Sequence, residues 1–338
     1  MKARQIDILK QPIPTLLVTF LLLVTVQALR AMQHPYPAEN IAESLSPLGR
    51  LIDTSLEGVA GVVVTLIATL FTSILITRTI SRYALSVIRS FVPMVLLSIG
   101  VCGILFPIGS PALALSVAMI AKATELMIMS FKRTERFGEV MMAAFWTGTV
   151  ALIIPDLVWI VALLPIQWLI WQRSPREMVA GVIMTMLPLL LASCGWWFAG
   201  KPFGMFAKAW CATLPPFEVM DFEAAYHQMG GILPTLLLAT ILLLTLASIV
   251  ASFGAFGSMR VRARKGHLYF SLLYILGVVM MFLLGTPAAV AVAVMGFASV
   301  PLIHTFFVRH KGVAIAAIYA LVLLLTILTA AAPIWGLF

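Results

Sequence analysis

Between Val140 and Trp171 the chain runs for 32 residues with one charged side chain, Asp156, near the middle. As a single helix this run would be about 48 Å long, too long for a hydrocarbon core of about 30 Å. Broken at Pro155-Asp156, it becomes two helices of roughly 23 Å each, a tight hairpin with the carboxylate at its tip. In lipid every backbone polar group must find its partner inside the protein, so only helices or closed barrels can span. The apolar runs here are continuous and lack period-2 alternation, which selects helices.

The rest of the chain has the same character. It is 62% hydrophobic and 10% charged, against about 25% charged in a soluble domain, with mean hydropathy +1.08. Such a chain takes the bilayer as its solvent. The pattern predicts an all-α, polytopic transmembrane bundle in one integral membrane domain, residues 1–338. Spans are expected at about 13–29, 57–77, 91–107, 111–130, 139–155, 157–172, 178–198, 232–254, 269–284, 288–306 and 313–332. The first has the basic start of a signal sequence, but Arg30 interrupts the region where a cleavage site would fall, so it reads as an uncleaved span. Three pairs of spans are joined by short turns, "PIGSP" (107–111), "PD" (155–156) and "GTPAA" (285–289).

Charge parity supports counting all eleven. With the N-terminus in the cytoplasm, 17 of the 22 Lys and Arg residues fall on the cytoplasmic side, and Arg30, Arg50, Lys201 and Lys208 fall outside. Merging any pair would place the later basic loops on the wrong face. The C-terminus is then outside. The net charge of +9 is this loop asymmetry, not a nucleic-acid footprint. The expected partner is the lipid bilayer, with no nucleic acid.

Eight of the 13 acids lie outside or at the outer rim, chiefly in two long outer loops, 30–56 and 199–231. In the first, "PAENIAESLSPLG" reads as a short helix after Pro37 with Glu39 and Glu43 at i, i+4. Like charges at that spacing repel, so water, His34, Arg50, a cation or a substrate must offset them. In the second loop, aromatics interleave with Glu218, Asp221 and Glu223, the pattern of helices lying at the membrane surface. Glu223 and His227 are spaced to pair. Asp156 suits a turn, the N-cap of the next helix, or a site. Inside the membrane, Lys122 and Glu125 stand at i, i+3, spaced to serve as each other's partner or as an ion relay. Cys102, Cys194 and Cys211 show no metal spacing, and no P-loop, GxSxG, HExxH or GxGxxG motif is present. No metal site is expected.

Residues 131–198 carry a resemblance. A Phe and small residues open a helix, Gly148 follows, an apolar run reaches the proline turn, and Arg176-Glu177, Gly181 and Pro188 come after. This pattern resembles an uncharacterised multi-pass inner-membrane family of Bacteroidota, a domain of unknown function. The hairpin and basic loop also look like polytopic glycosyltransferases that use polyprenyl-phosphate sugars. That likeness implies a carboxylate base in the first outer loop, Glu39 or Glu43 here, and a lipid-linked substrate at the outer face. Asp156 and Asp221 would then help bind a cation or sugar hydroxyls, and Arg50 or Lys201 a phosphate. The chain departs from the pattern in three respects: its first acid comes about ten residues after the first span, it lacks a paired acidic motif, and it is short. Two other readings stay open, an assembly or scaffold subunit with a membrane protein partner, and a transporter using Lys122 and Glu125.

Overall fold

The computed structural model describes residues 12–31, 44–83, 85, 90–105, 110–131, 136–214, 219, 223, 226–227, 231–254, 256–309 and 313–331. Thirteen α-helices are present among them: α1 (Pro12–Ala31), α2 (Pro47–Ser55), α3 (Val59–Arg82), α4 (Val92–Leu105), α5 (Pro111–Ser130), α6 (Phe137–Ile153), α7 (Val158–Ile170), α8 (Pro175–Phe198), α9 (Phe203–Cys211), α10 (Ile232–Gly254), α11 (Val261–Leu283), α12 (Ala288–Arg309) and α13 (Val313–Ala331). A 3-10 turn, Pro155–Leu157, joins α6 to α7. Each of the eleven predicted segments coincides with a helix. Six helices, α3, α5, α8, α10, α11 and α12, are long and apolar enough to cross a membrane. The molecule is a helical, multi-pass membrane protein. α2 and α9 are the additional short helices.

The bundle is organised around α12. Its run "AAVAVAVMGFASV" is made mostly of small residues, and 89% of its most apolar window is buried. Small side chains let neighbours approach closely, which is how helices gain contact where lipid gives them no hydrophobic drive to associate. α11, α4, α10 and α5 pack on it. A second row runs α3–α5–α6–α8. Here Gly148 of α6 lies against the Thr185 backbone of α8, and Gly181 of α8 against the Trp168 ring of α7. These are two of the positions that carried the family resemblance, and close approach explains both.

The two ends of the bundle differ in chemistry. At one, Arg262 stacks on Tyr83 and Phe131, with centroid distances of 5.6 and 5.5 Å. Lys265 stands 4.8 Å over Phe131, which meets Trp171 edge-on at 5.7 Å. Arg173 pairs with Glu177 at 3.4 Å, and Glu177 closes a capping box with Ser174 at the start of α8. The other end carries Asp53 and Asp156, both buried. Lys122 and Glu125 sit in unbroken helix α5 and bond each other, Nζ to Oε2 at 2.6 Å.

Gly148→Ala tests the α6–α8 contact. The added methyl would meet backbone that cannot rotate away, so a loss of about 1–3 kcal/mol is expected. It should appear as a lower thermal-unfolding midpoint in detergent. An unchanged midpoint would contradict the contact.

Candidate functional site

The acidic end is closed by α2. Its start is specified by Ser46-Pro47: the Ser46 hydroxyl caps the helix by accepting from the Gly49 N–H at 3.1 Å, and Pro47 occupies the first turn. Gly49 and Asp53, one turn apart, form the buried face. The Ser46 N–H donates to the Ile153 carbonyl at the end of α6, 3.2 Å away. A Cβ on Gly49 would stand 2.5 Å from that same oxygen, so glycine is required for α2 to sit this close. One turn on, Asp53 reaches α5. Its Oδ1 accepts from the Ala112 N–H at 2.9 Å and its Oδ2 from the Ser110 hydroxyl at 2.7 Å. Ser110 in turn accepts from the Leu113 N–H at 3.2 Å. Asp53 and Ser110 thus satisfy donors that the start of a helix leaves open. Burial pushes the Asp53 carboxyl up, opposed by these two bonds.

Asp156 occupies the 3-10 turn and is 3% exposed. It does not cap α7, whose N-cap residue, Leu157, makes no side-chain cap bond. Instead it takes hydrogen bonds from its own backbone N–H and from the Ser44 side chain, just ahead of α2. Its Oδ2 has no partner among the described residues. Burial pushes the carboxyl up to about 7 from an ordinary 3.8, against those two bonds. This leaves a protected carboxyl that gains and loses a proton near neutral pH, the property an acid–base group needs.

A third element covers the same end. Trp210 of α9 donates its Nε1–H to the Ala151 carbonyl of α6 at 3.0 Å, and Phe206 packs on Trp196 at 5.3 Å. A surface helix thus lies at 203–211 in the second outer loop, while the aromatic stripes of 217–229 fall largely outside the described residues, of which Glu223, Tyr226 and His227 are helical. Lys201 stacks over Trp196 at 4.2 Å, and exposed Arg50 donates its Nε–H to the Leu45 carbonyl at 3.1 Å.

Segments 44–56, 154–157 and 199–211 thus converge on one end and bring Asp156 together with Ser44. Asp53 enters the same clasp in a capping role. Glu39, Glu43 and Asp221 lie outside the described residues. Glu223 and His227 form no ion pair, and no group of three His, Cys, Asp or Glu suited to a metal occurs among the described residues. Asp53, Ser110 and Ser44 were missed as site residues. The "SPLG" and "GSPAL" stretches, each a serine N-cap before proline, marked the two helix starts that Asp53 bridges.

Two measurements probe this end. The fold raises the Asp156 pKa above its free value, so it favours the protonated form. That stability is fully present below about pH 4 and is lost as pH rises through about 7. Asp156→Asn should flatten the dependence of the unfolding midpoint over this range and exceed wild type at pH 8. A variant with the wild-type slope would refute the assignment. Asp53→Ala should cost about 1–3 kcal/mol at neutral pH by leaving the α5 donors unmet. A thermal melt without change would show that the clasp contributes nothing.

Comparison with known protein families, with curated proteins and with solved structures gives no match, so function is read from this geometry.

Proposed function

We propose that all eleven apolar helices cross a bacterial inner membrane, with the basic end in the cytoplasm and the acidic end outside, and that the acidic end houses a transferase-like site for a lipid-linked substrate. Asp156 carries this reading: a buried carboxyl with an open oxygen, titrating near neutrality, beneath helices that lie across the bundle end. The resemblance to polyprenyl-phosphate-sugar glycosyltransferases supplies the reaction class. In that reaction Asp156, in place of the first-loop acids Glu39 and Glu43, accepts the proton of an acceptor hydroxyl. The acceptor oxygen bonds to the sugar's anomeric carbon as the bond to the polyprenyl phosphate breaks. Arg50 and Lys201, exposed at the same end, serve the departing phosphate.

The test uses the full chain in proteoliposomes holding a polyprenyl-phosphate hexose labelled on the sugar, with water as the acceptor. Label should pass to the aqueous phase, and Asp156→Asn should reduce the rate by about a hundredfold, the usual contribution of an acid–base group. Equal release by the variant, or none beyond empty liposomes, would remove the transferase reading.

The exposed face of α8 favours a second reading, a scaffold subunit. Val179, Ile183, Met186 and Leu190 lie along it, all at least half exposed. A stable membrane protein partner that co-purifies, and is lost on placing Ser at Ile183 and Leu190, would support it over the first. The Lys122–Glu125 pair is closed on itself within one turn, which argues against its use as a carrier of ions.

A further inference from the structure

At the basic end, far from Asp156, an open groove of about 440 Å³ lies between the end of α3 and the start of α4. Its volume falls within the range of small-molecule sites, about 300–1,000 Å³. Ile74, Arg78, Ser81 and Arg82 of α3 reach it from one stripe, spaced i, i+4, i+7 and i+8, and Phe91 and Met94 form the facing wall. The lining is therefore graded. Ile74, 40% exposed, and buried Met94 lie deeper along the helices, while the two guanidinium groups stand at the exposed terminal turn.

Three other arginines of this end are occupied. Arg262 is held between Tyr83 and Phe131, Arg173 by Glu177 at 3.4 Å, and Arg136 by Glu139 at 3.3 Å. Arg78 and Arg82 make no ion pair among the described residues, and Arg82 only rests on the adjacent Tyr83 ring at 5.8 Å. The negative end of the α3 dipole accounts for one cation in the last turn. It does not account for two arginines aimed into the same open space above an apolar floor. Basic pockets between membrane helices hold anionic headgroups, and paired guanidinium groups match phosphate oxygens in a fork.

We propose that this groove binds an anionic phospholipid, its phosphate held by Arg78 and Arg82, with Ser81 donating a further hydrogen bond and the acyl chains running along Ile74, Phe91 and Met94. The apolar floor selects a lipid over free phosphate, which would leave that surface uncovered.

The experiment is native mass spectrometry of the full chain in detergent, titrated separately with phosphatidylglycerol, phosphatidylcholine and inorganic phosphate. Phosphatidylglycerol adducts should form at about tenfold lower concentration than phosphatidylcholine adducts. In the Arg78→Gln/Arg82→Gln double variant that ratio should fall to about one, with circular dichroism unchanged. Equal binding of the two lipids by wild type, or an unchanged preference in the variant, overturns the proposal. Displacement of the lipid by inorganic phosphate at matching concentration overturns the lipid assignment in favour of a phosphate site. Should the variant not fold, phosphatidylglycerol carrying a headgroup photocrosslinker decides on wild type. Label on residues 74–94 supports the site, and label elsewhere or none refutes it.

Discussion

A hydrocarbon solvent accepts no hydrogen bonds, and every other feature of this bundle works within that constraint. The helices meet it along their backbones, and their hydroxyls meet it locally. In α3, Thr69, Thr72, Ser73, Thr77 and Thr79 each donate to the carbonyl four residues back, at 2.7 to 2.9 Å. Polar side chains can thus be placed inside the bundle without a distant partner. The difficulty moves to the helix ends, where four donors or acceptors are left over at each. The chain answers with serine caps before proline at α2, α5 and α8, and with a carboxylate brought in from another element.

That imported carboxylate, Asp53, gives α2 its place. A nine-residue amphipathic helix would not hold its position by propensity alone. It is fixed at one end by the Ser46 N–H on Ile153 and at the other by Asp53 on α5. The residue ahead of its cap, Leu45, is buried, and Ser44 is carried to Asp156 by the same geometry. The clasp and the titratable carboxyl are therefore mechanically linked. The segment that locks two helix ends together also supplies the hydroxyl partner of Asp156, the one carboxyl with a buried oxygen left without a partner among the described residues.

Much of the fold was legible because lipid makes it so. Length and apolarity located every helix of the two rows, and Pro155-Asp156 marked a real reversal. Gly148 and Gly181 were visible as a pattern, but their role as contact points needed Thr185 and Trp168, which are distant in sequence. The site was less legible. Asp53 and Asp156 were equal members of a set of outward acids, separated by about a hundred residues, and no local signal said that one caps a helix while the other stays open. The Glu223–His227 spacing, which did look like a pair, makes no ion pair among the described residues.

The sequence by itself determined the class of molecule, its helices, its tight turns and the unequal sharing of charge between the two ends, since each follows from local composition set against the thickness and polarity of the bilayer. Only the tertiary structure decided which charges are spent and which remain. Asp53 is consumed by α5, Glu177 by Arg173 and Ser174, and Arg262 by two aromatic rings, while among the described residues Asp156 keeps one buried oxygen without a partner and Arg78 and Arg82 line an open groove without an ion pair. The difference is burial and partner distance, quantities that arise when helices far apart in the chain are packed together.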